Sequence, residues 1–390
     1  MKVQYLFSSS KGDHPVSEEE LDGPLHISLS ETHPALTLRH YFQSVKEVLL
    51  KDDAVILTQA ISQGFGRRMT PDMIFRMEIR CEKVGTLYHV ASVTLQSEGA
   101  PMRLAVATAI TDEAIRRMEK EVLHLRLLTE TYQLTSLPRI FFKGEVAGHS
   151  PQGDFVLYHV IQEWLEDYHE WHFTRDQGGK GQRLLIWDQK KGYHSASARE
   201  YHEIFRQAAK ILTLCYDIHT FRQIYPWHHA AGDFIVKSLD QDVDVKLTTV
   251  RGYDPMLVFR EKEEWDPWKA FIIFFLNLTI KMRLDREDGV GDVMWADDLC
   301  VSATVEGFVD ALHIMEAEGR LDLGKTGDVI ALLKTFAVEE LRSLMGVLLD
   351  FYRQSERGSY PVIQSNLESH VRSLHQVIQA LPSRFSGGAS

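Results

Sequence analysis

The chain has 390 residues, 25% of them charged and 44% hydrophobic, and a formal net charge of −12. That is enough chain for one large domain or two lobes with a real core, and the acidic balance, without a long basic run, argues against an electrostatic nucleic-acid footprint. The three cysteines, Cys81, Cys215 and Cys300, are far apart and share no C-x-x-C spacing, so a disulfide framework or zinc knuckle is not expected and a reducing compartment is. The start, MKVQYLFSSSKGDH, lacks a long apolar core and a small-residue cleavage site, so no signal peptide is expected. The longest apolar run, AFIIFFLNLTI at 270–280, is shorter than the ~20 residues of a bilayer span and reads as a buried core helix. The expectation is a cytoplasmic protein with no membrane and no nucleic-acid partner.

In chain order, the first section reads as helical. Leu36, Leu38, Tyr41, Phe42, Val45, Val48 and Leu49 recur at helical spacing, and Ile56, Leu57, Ala60 and Ile61 continue the pattern after Asp52-Asp53. Gly64 and Gly66 stop it. From about 72 the period shortens. The runs 74–81, 88–95 and 103–110 have strand composition and are separated by EKVGT and QSEGAP, which predicts a three-stranded antiparallel meander. A helix follows, capped by Asp112, with Ile115, Met118, Val122, Leu125 and Leu128 on one face. Strands are predicted over 137–146 and 154–166.

After 166 the chain reads as mostly helical. A loop containing DQGGKGQ leads to a helix over about 197–219. The stretch IYPWHHAAGDFIVK at 224–237 then leads into a hairpin over 234–237 and 243–248, with SLDQD between its strands. Asp266-Pro267 is a helix start, since proline at the first helical position loses no needed N–H. Amphipathic helices are expected over about 303–318, 328–353 and 366–381. The stripe Leu341, Leu344, Met345, Leu348, Leu349 and Tyr352 reads as core. The tail SGGAS at 386–390 reads as frayed.

This element order, five strands with one inserted helix, then a helix, a loop, a hairpin and many helices, resembles the two-lobed protein-kinase-like fold, including its aminoglycoside-phosphotransferase-like branch. The resemblance covers roughly 72–350. Its centre is the loop. In that superfamily the segment reads His-x-Asp-x-x-x-x-Asn, then a strand, a turn and a second strand leading to Asp-Phe-Gly. Here HHAAGDFIVK and DVKLTTVRGYDP stand in those places. The resemblance puts His228 at the catalytic aspartate, Asp233 at the metal-binding asparagine and Thr249 near the second metal-binding aspartate. VLYHVIQEWLE resembles the strand and hinge that hold adenine through backbone groups, with Glu163, Trp164 and Leu165 as the hinge. Thr108, in LAVATAI, falls where the superfamily has its phosphate-binding lysine, and Glu121 is the nearest match to the glutamate that pairs with that lysine.

The resemblance thus implies an α+β chain: an N-terminal helical extension (1–71), a small β-rich lobe with one helix (72–166), a mainly helical large lobe (167–385) and a short tail (386–390). It implies ATP with Mg or Mn as the cofactor to test, and a nucleotide and a protein partner on the extension as the partners. Phosphoryl transfer depends on positioning and on neutralising phosphate charge. With Thr108 for lysine, His228 for the base and Asp233 as the one remaining metal ligand, the expectation is a pseudokinase-type binding or regulatory module. The first alternative is an atypical nucleotide-dependent phosphotransferase using His228, His229 and Asp233.

Three other readings of the loop stay open. HHAAGD matches the His-His-x-x-x-Asp of condensation-domain and chloramphenicol-acetyltransferase-like acyltransferases, with His229 as general base, although Phe234 replaces that family's glycine and no Asp-Phe-Gly-Trp-Gly follows. His228, His229 and Asp233, with His219 nearby, could ligate zinc or a non-haem metal. Or the histidines merely bond backbone carbonyls and cap the loop. His159, His169 and His172 read as polar packing. Asp297-Asp298 and the glutamates of 261–264 read as solvated faces or helix starts.

Overall fold

The computed structural model describes the whole chain except residues 9–11, 28–30, 67, 86, 151–152, 177–180, 189–190, 240–241, 257–265 and 383–390. The glutamate run at 261–264 and the tail therefore lie outside the described residues. The chain is α+β and divides into two compact units, Met1–Glu166 and Asp167–Ser390.

Unit 1 contains β1 (Lys2–Phe7), β2 (His14–Pro15), α1 (Glu18–Leu21), β3 (Pro24–His26), β4 (Thr32–Thr37), α2 (Leu38–Phe65), β5 (Arg76–Val84), β6 (Tyr88–Gln96), β7 (Met102–Ala109), α3 (Asp112–Tyr132), β8 (Ile140–Ser150) and β9 (Gly153–Glu163). Seven strands form one mixed sheet in the order β2-β1-β5-β6-β7-β9-β8. β1 pairs with β5 in parallel, and the β5-to-β8 portion is antiparallel throughout.

Strand alternation decides what each face carries. Met77, Ile79, Val93, Leu95, Leu104, Val106, Leu157 and Ile161 share one core with Tyr41, Phe42, Val45, Val48 and Leu49 of α2. The opposite face, Ala107, Ala109, Tyr158 and Val160, packs on Ala114, Met118 and Val122 of α3. Thr37 caps α2 by accepting from the His40 amide. The helical pattern that the sequence continues past Asp52-Asp53 is interrupted there by a kink, with φ of +51°, +56° and +60° at Asp52, Asp53 and Ala54.

The expected helical extension over 1–71 is corrected in two ways. Among its described residues it carries four strands besides its helices, and α2 shares the sheet's own core. Short strands such as β2 and β3 are two or three residues long, too short to show a two-residue period.

Unit 2 contains β10 (Trp171–Arg175), β11 (Gln182–Ile186), β12 (His194–Ser195), α4 (Ala198–Leu214), β13 (Arg222–Ile224), β14 (Phe234–Leu239), β15 (Asp242–Leu247), β16 (Tyr253–Pro255), α5 (Pro267–Lys281), β17 (Leu284–Arg286), β18 (Val293–Trp295), α6 (Asp298–Ala317), α7 (Thr326–Thr335), α8 (Val338–Ser355) and α9 (Tyr360–Ala380). The hairpin expected near 234–248 is β14–β15. Three further small sheets join it: β10-β11-β12, β13-β16 and β17-β18. The single helix expected over 328–353 is two, because Phe336 and Ala337 are extended. The apolar stripe survives the break, with Leu341, Met345, Leu348 and Tyr352 all buried. α5 is buried on every side from Ala270 to Lys281, as a core helix must be.

α4 and α6 meet at Gly307. A Cβ there would sit 1.9 Å from the Arg206 carbonyl oxygen, a backbone atom that cannot swing away. Gly307→Ala should therefore destabilise unit 2 by ~3 kcal/mol or more, the upper range for overpacking. Gly346, inside α8, has open space around its Cβ position. Gly346→Ala should be neutral or stabilising by up to ~1 kcal/mol, because alanine is the better helix former. Urea unfolding of the two variants checks the contrast, and equal stabilities would refute the close-approach argument.

Candidate functional site

The loop between β13 and β14 is built around Asp233. His228 is extended, residues His229–Ala231 form one 3-10 turn, and Gly232 closes it with φ +68°. That left-handed conformation favours glycine, and a Cβ would also lie 2.6 Å from Glu170 Oε1. Asp233 is 1% exposed. Its Oδ2 accepts from the His228 amide at 2.9 Å. The Arg251 guanidinium then closes on both carboxylate oxygens, Nη1 to Oδ2 at 2.7 Å and Nη2 to Oδ1 at 2.5 Å. Thr248, just past β15, donates its amide to the Asp233 carbonyl at 2.7 Å. The loop is thus clamped to the exit of the hairpin. Burial pushes the Asp233 carboxyl up, and Arg251 and the His228 amide oppose that. Two oxygens that both accept from a fork of N–H donors fit the carboxylate form.

The two histidines differ. His228 is half-buried. Burial, helped by the nearby Lys281 charge, lowers its pKa to about 4, so it is neutral at pH 7. His229 is 2% exposed and is surrounded by Trp171, Phe205, Trp227 and Phe234, with ring centroids 5.4–5.8 Å away. Burial lowers its pKa to about 4 as well, against the nearby Asp285 carboxylate and the Met282 backbone, which favour the charged form. A general base has to reach its substrate. His229 faces aromatic core, so the packing does not offer the base that the acyltransferase pattern requires. Among the described residues no group of three or more His, Cys, Asp or Glu is arranged to hold a metal ion, and a cation at Asp233 would have to displace Arg251. His219 is elsewhere engaged, 2.8 Å from Asp322.

Three features escaped the sequence reading. The first is Arg251. The second is a buried ion pair under the loop: Lys281, at the end of α5, donates to both oxygens of Glu356 at 2.6 and 2.8 Å. The Tyr225 hydroxyl donates to the same carboxylate. Lys281 Nζ lies 5.7 Å from the Tyr225 ring centre and 5.9 Å from that of Trp227. The third is a chain of charges on β10 and β17. His172, 1% exposed, lies 3.5 Å from Glu170 and 3.6 Å from Asp285. Burial alone would lower its pKa, but Asp285 and Glu170 outweigh that and carry it up to about 9. His172 is thus polar packing of a charged kind, set between two carboxylates that favour its protonated form. The available signal was a charged residue inside an apolar context, as in LTIKMRLDR at 278–286.

In unit 1, Thr108 and Glu121 are not brought together. Thr108 is fully buried on the α2 face, bonded to His159 Nδ1 at 2.9 Å and facing Tyr41. Glu121 is on α3, which covers the other face. Counting along LAVATAI could not settle which of two alternating faces looks at α3. The positions that do are Ala107 and Ala109, so no ammonium comes from β7 on either face. Glu163 ends β9; its amide donates to the Arg139 carbonyl at 2.9 Å. Trp164 lies under Arg103, 5.2 Å from its ring centre, and donates to Glu166 at 2.8 Å. Leu165 is half-buried.

No protein-family model and no curated protein matches this chain. No helix among the described residues is long and apolar enough to cross a membrane.

Proposed function

We propose that this chain is a protein-kinase-like, pseudokinase-type binding module that holds a nucleotide weakly and does not transfer phosphate. The observation that carries the reading is the Asp233–Arg251 pair. At the position that the resemblance assigns to a metal ligand, both carboxylate oxygens are bonded to a guanidinium. An arginine there supplies a fixed positive charge in place of a divalent ion. Two features of the fold support the same reading. In unit 1 the strands run β5-β6-β7-β9-β8 with α3 inserted between β7 and β8. In unit 2 the 228–233 loop is followed at once by the β14–β15 hairpin. Against transfer stand the alanines of β7 that face α3 and the neutral, half-buried His228. α2 spends its apolar face on the sheet, which supports bracing as the role of residues 1–71 ahead of holding a protein partner.

Calorimetric titration with ATP tests this, run with Mg²⁺, with Mn²⁺ and with a chelator. Weak binding that is the same in all three is expected. Arg251→Ala should make binding depend on the metal, because Asp233 is then free to ligate it. Binding by the unaltered protein that requires a divalent ion would contradict the reading. A second reading, an atypical phosphotransferase, draws on Glu170, whose carboxylate is part-exposed and lies against Gly232. Transfer from radiolabelled ATP that is abolished by Glu170→Gln or His228→Ala would promote it.

A further inference from the structure

We propose that the cavity between the end of α2, the C-terminal part of α3 and the start of β8 is a binding site for a small monocarboxylate with an apolar body. It lies wholly within unit 1 and does not depend on the nucleotide reading. Its volume is about 320 Å³, and it is lined by Gln63, Leu125, Arg126, Thr129, Glu130, Arg139, Ile140 and Phe141. That size is at the lower end for small-molecule sites, which combine apolar walls with a few placed polar groups.

Leu125, Ile140 and Phe141 supply the apolar wall. Two guanidinium groups supply the recognition. Arg139 is held in place: its Nη1 donates to the Gln63 carbonyl at 3.2 Å and its Nη2 to the Gly64 carbonyl at 3.3 Å, and it lies 5.8 Å from the centre of the Phe141 ring. Those carbonyls are neutral acceptors, so they orient the group without cancelling its charge. Glu163, 3.5 Å from Arg139 Nε, offsets part of it. Arg126 is half-buried and lines the same cavity, and its charge favours ionisation of the Tyr158 hydroxyl against burial. An oriented guanidinium beside a second one is a fork matched to a planar carboxylate.

The acidic neighbours set the charge of the ligand. Arg126 and Arg139 are balanced by Glu130 in the lining and Glu163 on Arg139, so the site carries no excess charge to hold a phosphate dianion, and a monoanion set on the guanidinium fork suits it better. Glu130 also offers a partner for an ammonium group, so apolar α-amino acids fall within the proposed class.

The test uses 3-phenylpropanoate as the probe in calorimetry and saturation-transfer NMR on the full chain. Saturable binding is expected, weakened roughly tenfold or more in Arg126→Gln, the scale of losing one charge-assisted hydrogen bond. Arg126 is only half-buried, so this variant should keep the parent's circular dichroism and Tm, which separates lost binding from lost fold. L-Phenylalanine adds a second arm. Tighter binding than phenylpropanoate, with the advantage lost in Glu130→Gln, assigns an ammonium subsite to Glu130. Equal binding leaves the carboxylate as the recognised group. The proposal is overturned if phenylpropanoate shows no saturable binding, if Arg126→Gln binds it unchanged, or if phenethylamine or phenyl phosphate binds as well as or better than phenylpropanoate.

Discussion

The thermal midpoint should fall steeply as pH drops from 6.5 toward 4. Five histidines cause it. In unit 1, burial lowers the pKa of His89 to about 4 and that of His159 to about 3. In unit 2 it lowers His228 and His229 to about 4 and His370 to about 3. Each starts from 6.5 in the unfolded chain. Below 6.5 the unfolded chain therefore binds protons that the folded chain refuses, and stability falls with pH until each folded pKa is passed. One such group costs on the order of 3 kcal/mol across its window, at ~1.4 kcal/mol per pH unit. Two or three of them per unit approach the whole stability of a typical domain, ~5–15 kcal/mol. His172 acts with the opposite sign. Its folded pKa is about 9, so its contribution is complete below 6.5 and is lost as pH rises toward 9. It adds no slope in the acid range and puts an alkaline shoulder on the profile. The stability maximum should lie near neutral pH. Melting curves from pH 8 to 5 check this, at ~2–4 °C per kcal/mol for units of this size. A midpoint that stays flat between pH 6.5 and 5 would refute the account.

How much of this was legible in the sequence depends on what kind of signal each feature leaves. Long periodic elements leave a strong one. The strands of the β5–β9 sheet, α3 and the two halves of α2 could be read from spacing, because a buried face repeats at the period of its element; the kink at Asp52-Asp53 between those halves could not. Strands of two or three residues, such as β3, β13 and β17, leave none, and the helix break at Phe336-Ala337 carries no glycine or proline to mark it. The loop around Asp233 could be located from its residues, but its chemistry could not. That Asp233 is engaged by Arg251, 18 residues on, is a fact of three-dimensional pairing. So is the burial of His229, which opens the 3-10 turn while its neighbour His228 is extended just before it. Thr108 shows the finest limit. Strand register fixes which residues share a face, but not which face meets α3.

Lys281→Met should destabilise unit 2 by ~3–5 kcal/mol, and the cause is the partner left behind. Lys281 is 1% exposed and Glu356 about 10%. Burial acts to lower the Lys281 pKa and to raise that of Glu356; each counters the other's penalty, and Glu356 ends below its ordinary value with help from Tyr225. A buried ion pair is weak evidence of net stabilisation, since desolvation of both ions offsets their attraction. Removing one ion alone is different, because the other remains buried with its charge uncompensated. Methionine keeps most of the lysine's volume, so packing over the Tyr225 and Trp227 rings is largely preserved and the charge is what changes. The double variant Lys281→Met with Glu356→Gln should therefore recover much of the loss, since no ion is then buried unpaired. A double-mutant cycle by urea unfolding measures the coupling directly. The pair also sits beneath the loop, through Tyr225 on Glu356 and Trp227 under Lys281. The single variant should thus loosen residues 225–233 and raise amide exchange there before the unit unfolds, while the double variant restores protection. A Lys281→Met protein within ~1 kcal/mol of the parent would mean that Glu356 is neutralised or hydrated in its absence, and the coupling between this pair and the loop would have to be abandoned.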